Sequence, residues 1–244
     1  FQMAFFKKLR QSRRPRCIAL VAAAGQSTRM GGGQSKLLLP LDGIPVLVRT
    51  LTALAQAESI DGIVIAAREE DIVPFGDLCS TYGIAKPVKI VRGGASRAES
   101  VLLAALEADE QAQLLAVQDG ARPLVRPELI DETVRAAIRC EAVAPAVALK
   151  DTVKEADRDG RVLSTPDRAA LRAVQTPQVF SADLLKAALQ EAIASGSTIT
   201  DDCSAVERLG KAVYLIPGDE ENLKITTPLD LIVAEAILER RQAL

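Results

Sequence analysis

Apolar residues recur along the chain in two alternating rhythms. Cys17 to Ala24 is an unbroken apolar run, as expected of a strand covered on both faces, and Gly62 to Ala67, Val88 to Val91, Leu114 to Val117 and Ala142 to Leu149 repeat it. Between these runs the spacing turns helical: Pro45 to Ala57, with Val46, Leu47, Leu51 and Leu54 on one side, then Asp71 to Tyr82, Ser96 to Glu107, and Pro127 to about Arg139. Strands alternating with helices predict an α/β fold, a three-layer arrangement in which a mainly parallel sheet carries helices on both faces. Ligands on such sheets bind beyond the carboxyl ends of the strands.

Lys150 to Arg172 breaks the rhythm. The stretch is heavily charged, poor in large apolar residues and centred on Asp159-Gly160, which predicts a β-hairpin arm turning at Asp157 to Gly160. A two-stranded hairpin alone is marginal in water, so a partner subunit is its expected support. Beyond it the pattern predicts an extended run from Ala173 to Phe180, a helix from Ala182 to Ala194 and a helix near Thr200 to Leu209. Strands at Ala212 to Ile216 and Leu223 to Thr226 and a last helix from Pro228 to about Arg240 complete the reading. The expected division is a basic tail over 1–16 and one domain over 17–244, with 150–172 as a projecting arm.

Composition narrows the chemistry. Of 244 residues, 48% are hydrophobic but only 3% aromatic, so the core is aliphatic. Histidine is absent, which removes Ser-His-Asp triads, Cys-His pairs, imidazole bases and His-ligated metals. Lys7, Lys8, Arg10, Arg13, Arg14 and Arg16 crowd six positive charges into the tail, so the body is more acidic than the net charge of −2 suggests. An acidic body argues against nucleic-acid binding. No apolar run approaches the roughly 18 residues of a membrane span, and no signal peptide is expected. Cys17, Cys79, Cys140 and Cys203 form no C-x-x-C pair, a spacing that suits free thiols in a reducing cytoplasm.

Two constellations could carry chemistry. Directly after the first strand comes A22-A-A-G25-Q-S-T-R29-M-G-G-G-Q-S-K36, whose small residues let backbone N–H groups approach a phosphate while Arg29 and Lys36 supply cations. A plain strand-to-helix turn is the competing reading; neither the Walker A nor the G-x-G-x-x-G register fits. At the end of a later strand stands V117-Q-D119-G-A-R122-P. Its carboxylate suits Mg²⁺, which takes one or two carboxylates plus substrate phosphates, or a structural Asp119–Arg122 ion pair.

Further motifs follow in order: K150-D-T-V-K, Q175-T-P-Q, T200-D-D-C-S-A-V-E and N222-L-K-I-T-T-P-L-D. With the two constellations above, this series resembles the 2-C-methyl-D-erythritol 4-phosphate cytidylyltransferase family from about Ile18 to about Ile237. Ser27 stands where that family usually has Gly, Ser35 where it has Pro, and Gln118 and Gly120 flank Asp119 where it often has His and Ala. The resemblance implies a Rossmann-like nucleotidyltransferase fold, a homodimer built through the 150–172 arm, and transfer of CMP from CTP to 2-C-methyl-D-erythritol 4-phosphate with Mg²⁺. It further implies that Arg29 and Lys36 stabilise the pentacoordinate α-phosphate, that Asp119 is the metal carboxylate, and that Arg168 and Lys224 position the substrate phosphate. Thr152, Thr176 and Thr200 fall in motifs on the substrate side. Ala23, Ala24, Gly25, Gly93, Ser100, Asp119, Ala121 and Arg122 match positions lining the nucleotide site.

The chemistry is consistent with the residues present. A phosphate monoester with a second pKa of about 6 is largely dianionic at neutral pH, so it attacks without a general base. A cytidylyltransferase for another polyol phosphate, such as ribitol 5-phosphate, and a non-catalytic nucleotide-binding module on the same scaffold are the alternatives at this point.

Overall fold

A computed structural model describes residues 14–25 and 35–243. The first half runs β1 (Cys17–Ala23), a ribbon of β2 (Pro40–Leu41) and β3 (Ile44–Pro45), α1 (Val46–Gln56), β4 (Gly62–Ala67), α2 (Ile72–Thr81), β5 (Val88–Arg92), α3 (Arg97–Leu106) and β6 (Leu114–Asp119). Then come α4 (Pro127–Cys140), β7 (Ala142–Ala148), β8 (Glu155–Ala156), β9 (Val162–Ser164), β10 (Arg172–Val174) and β11 (Gln178–Ser181). Helices α5 (Ala182–Ala194) and α6 (Asp202–Arg208), strand β12 (Tyr214–Pro217) and α7 (Pro228–Gln242) complete the chain.

Strands β5, β4, β1 and β6 lie side by side and parallel, with Ala23 opposite Ala67, Ala67 opposite Arg92, and Ala22 opposite Asp119. This register brings the carboxyl ends of four strands level on one rim. β11 runs antiparallel between β6 and β7, and β12 joins the other edge of β7 in parallel. Period-two alternation sorts the strand residues between two cores. Cys17, Ala19 and Val21 pack under α1, α2, α4 and α7 through residues such as Leu51, Phe75, Ile130 and Ala234. Ile18 and Leu20 face α3, α5 and α6 through Val101, Leu185, Leu189 and Val206. The expected three-layer, mainly parallel α/β architecture is what forms.

Two sequence expectations need correction. The run from Ala173 to Phe180 is two strands in one line along β7, interrupted over 175–177, where Pro177 has no N–H to give a ladder. Leu223 to Thr226 is no strand. It is a strap crossing the rim, whose Ile225 N–H donates to Ala121 O (2.8 Å), so its backbone is satisfied outside any sheet. The hairpin is present but its ladder is short, β8 with β9 alone. Asp157 closes the turn by accepting from the N–H groups of Asp159 and Arg161, and Gly160 adopts φ +82° there. The segment is exposed almost throughout. Among the described residues no helix is long and apolar enough to cross a membrane.

Candidate active site

The level rim encloses a cavity of about 610 Å³. One wall is the end of β1, where Ala22, Ala23, Ala24 and Gly25 keep the approach free of side-chain bulk. Gly93 packs behind it: a Cβ there would lie 2.5 Å from the Ala24 Cβ and 2.9 Å from Ser100 Oγ. Facing them, Gly94, Ala95 and Ser96 lead into α3. Ser96 caps that helix reciprocally with Glu99, while Ser100 Oγ accepts from Gly94 N–H (3.1 Å) and donates to Ser96 O (2.8 Å). The N–H-bearing loop before α3 is therefore fixed from within.

Asp119 forms the floor at the tip of β6. Its Oδ1 accepts from Arg97 (2.9 Å), and its Oδ2 meets Lys224 (3.0 Å) and Arg122 (3.3 Å). The structural ion pair with Arg122 thus exists, as one spoke of a larger hub. Burial by itself would raise the Asp119 carboxyl, but Arg97, Lys224 and Arg122 outweigh it and hold the group well below the usual carboxylate range. The other end of the Arg97 fork meets Asp202 Oδ2 at 2.8 Å. Asp202 is fully buried, and burial pushes its carboxyl up, with Arg97 offsetting part of the effect.

The strap completes the site. Lys224, which the strap itself carries, reaches Asp119, while Lys36 donates to the neighbouring Ile225 O at 2.8 Å, so the strap brings both lysines to the cavity. Three supports hold that stretch: Arg122 donates to Asn222 O, Asn222 Nδ2 donates to Thr176 O (2.9 Å), and Gln175 pairs with both backbone groups of Asp219. Beneath the floor, Thr176 Oγ1 accepts from Asp119 N–H at 3.1 Å. Gln178 Oε1 accepts from the N–H groups of Asp202 and Cys203, securing the start of α6.

The structure gathers Ala23, Ala24, Gly25, Lys36, Ser100, Asp119, Ala121 and Lys224 around the cavity, with Arg122 and Thr176 buried below it. Arg29 and the rest of residues 26–34 lie outside the described residues, as does the tail up to Arg13. Thr152 and Arg168 stand exposed on the hairpin, where the Arg168 guanidinium donates to Lys150 O. Thr200 is exposed just before α6. Sequence reasoning missed Arg97, which lines the cavity, and Asp202, its counter-ion. The T-D-D motif marked the second without revealing its partner.

A floor carboxylate ringed by cations at the mouth of a parallel sheet is shared by unrelated phosphate chemistries, so comparison with known proteins decides among them. The profile of the family described as 2-C-methyl-D-erythritol 4-phosphate cytidylyltransferase matches residues 17–240. A protein of that name from Parasynechococcus marenigrum is 44% identical over 223 residues, which is 91% of this chain and 98% of the relative. One from Symbiobacterium thermophilum is 44% identical over 224 residues, 90% of this chain and 92% of its own length. The crystal structure of 4-diphosphocytidyl-2C-methyl-D-erythritol synthase from Anaerococcus prevotii superposes with a TM-score of 0.83 at 32% identity, covering 93% of this chain and 99% of that one. The matched residues 17–240 include the rim and the strap, and the chain belongs to the 2-C-methyl-D-erythritol 4-phosphate cytidylyltransferase family.

Proposed function

We infer that the protein transfers CMP from CTP to 2-C-methyl-D-erythritol 4-phosphate, giving 4-diphosphocytidyl-2-C-methyl-D-erythritol and pyrophosphate. The observation that carries this is the strap that sets Lys224 on Asp119 and holds Lys36 at the next carbonyl, Ile225 O, inside a chain that matches the family along nearly its whole length. An oxygen of the substrate's phosphate attacks the α-phosphorus of CTP, a new P–O–P link forms, and the bond to the β-phosphate breaks as pyrophosphate leaves. The attacking dianion needs no base at neutral pH. What the site must supply is positioning and positive charge. In this reading Arg29 and Lys36 take the charge developing on the α-phosphate, Lys224 and Arg168 place the attacking phosphate, and the small residues of β1 with Gly93 and Ser100 receive the nucleotide.

A magnesium ion fits the donor set. Asp119 is one charged carboxylate on the rim, and of the two cations on its Oδ2 the half-exposed Lys224 is the one able to turn away, leaving the longer Arg122 contact at 3.3 Å; nucleotide oxygens and water would fill the other positions. Such an ion would screen the triphosphate and polarise the α-phosphate. The hairpin carries Thr152 and Arg168 and exposes Val162 and Leu163. On that ground we assign it to a second copy of the chain, whose site it would complete. Four free cysteines suit a reducing cytoplasm.

The test is pyrophosphate release with CTP, ATP and GTP, each offered with methylerythritol 4-phosphate, ribitol 5-phosphate and erythritol 4-phosphate. The expected result is preference for CTP with methylerythritol 4-phosphate. Preference for ribitol 5-phosphate would move the protein to another branch of polyol cytidylyltransferases, and CTP binding without turnover would make it a binding module.

A further inference from the structure

Arg97 and Asp202 fall outside the residues that the motifs assign, yet they make the deepest ionic contact of the site. Asp202 has no exposed surface, its Oδ1 has no hydrogen-bond partner among the described residues, and its Oδ2 is held by Arg97. A buried ion pair adds little to stability compared with apolar residues of the same volume, so the pair calls for another reason. The Arg97 side chain supplies it. One terminal nitrogen takes Asp202 Oδ2 at 2.8 Å and the other takes Asp119 Oδ1 at 2.9 Å, while its buried Nε has no acceptor among the described residues. The fork's position is set by the two carboxylates and not by the best use of its own donors.

We infer that Arg97, tethered by Asp202, is the positioning residue that fixes the orientation of the Asp119 carboxylate, an inference that rests on the cytidylyl-transfer reading of the site. The guanidinium is planar and rigid, so with one end bound to a buried carboxylate it holds Asp119 Oδ1 in one place. Oδ2, which Arg122 also meets from below at 3.3 Å, is then the oxygen presented to the cavity and to Lys224. Lys224, half-exposed, can leave that oxygen for a substrate phosphate, whereas Arg97 stays with Asp202. Asp202 acts on the reaction only through Arg97.

Arg97→Ala, Asp202→Asn and the double variant test this by thermal unfolding and by CTP-dependent pyrophosphate release. Arg97→Ala leaves Asp202 buried and unpaired, so Tm falls. Adding Asp202→Asn removes the stranded charge, so Tm returns toward wild type. Turnover does not return with it: kcat stays down by roughly 10–100-fold, as for loss of a group that orients a functional carboxylate, while KM for the polyol phosphate changes less. A double variant that regains wild-type kcat along with its Tm overturns the inference, because the bridge is then structural. Should Arg97→Ala fail to fold, the isosteric Asp202→Asn decides alone. A lowered kcat at near-wild-type Tm supports the inference, and a wild-type kcat overturns it. Wild-type protein that releases no pyrophosphate with CTP would overturn the functional reading itself, a result separable from either.

Discussion

Lys36 reaches the Ile225 carbonyl from across the cavity, next to the residue whose ammonium holds Asp119. As a stabiliser of charge on the α-phosphate, Lys36 should matter most once the reaction is under way. Lys36→Ala should lower kcat by roughly 10²-fold or more with little change in KM for the polyol phosphate, measured by steady-state kinetics; an unchanged kcat would return Lys36 to a purely structural contact. The pH profile belongs to the same scale. No histidine is present, and although burial alone would raise Asp119, its cationic neighbours keep it charged well into acid. The substrate phosphate, with a second pKa of about 6, titrates near neutrality, so kcat/KM for the polyol phosphate should fall below about pH 6. An acid limb near pH 4 would contradict this. Since the folded-state pKa of Asp119 is depressed, its contribution to stability is complete above the unfolded value of about 3.9 and is lost as pH falls through the lower folded value. Acid therefore removes turnover before it removes this part of the stability. Lys36, Asp119 and Lys224 were legible because each sits in a motif at a strand end or turn. Arg97 was not, because its partner lies 105 residues further along the chain, a distance over which spacing carries no signal.

At the level of elements, pattern located the strands and helices that frame the site. Gly62 to Ala67 and Ala182 to Ala194 form with the expected bounds, because their apolar periodicity matches the faces that they bury. Leu223 to Thr226 misled because L-K-I-T alternates like a strand while its backbone partners, Ala121 and the Asn222 supports, come from loops that no periodicity announces. In the Q-T-P-Q motif, Gln178 braces helix α6, which begins with Asp202, a role that the spacing does not announce. Gln178→Ala would strip the acceptor from two buried N–H groups. Each costs about 1–3 kcal/mol when left unsatisfied, and each kcal/mol lowers Tm by about 2–4 °C in a chain of this size. Calorimetry should therefore show a fall of several degrees, and an unchanged Tm would mean that another acceptor replaces the amide.

For the whole molecule, the proposed pairing through the exposed hairpin would make assembly part of the chemistry. If each arm completes a neighbour's site, an Arg168→Ala chain mixed with a Lys36→Ala chain should regain activity in up to about a quarter of sites, as symmetric pairing of random halves allows. No recovery, with subunit exchange verified by mass spectrometry, would mean that the arm serves its own domain. Removing divalent cations with a chelator should abolish turnover and added Mg²⁺ should restore it; full activity in chelator would leave Asp119 as an orienting group for Lys224 alone. The claim beneath all of these is that the substrate's own phosphate attacks the α-phosphorus of CTP on a site that supplies charge and no base. Phosphorus NMR of the reaction mixture tests it most directly. The monoester resonance of methylerythritol 4-phosphate should give way to the two coupled resonances of a diphosphate diester, with free pyrophosphate in equal amount. An unchanged monoester resonance beside CMP and pyrophosphate, the signature of attack by water, would contradict it.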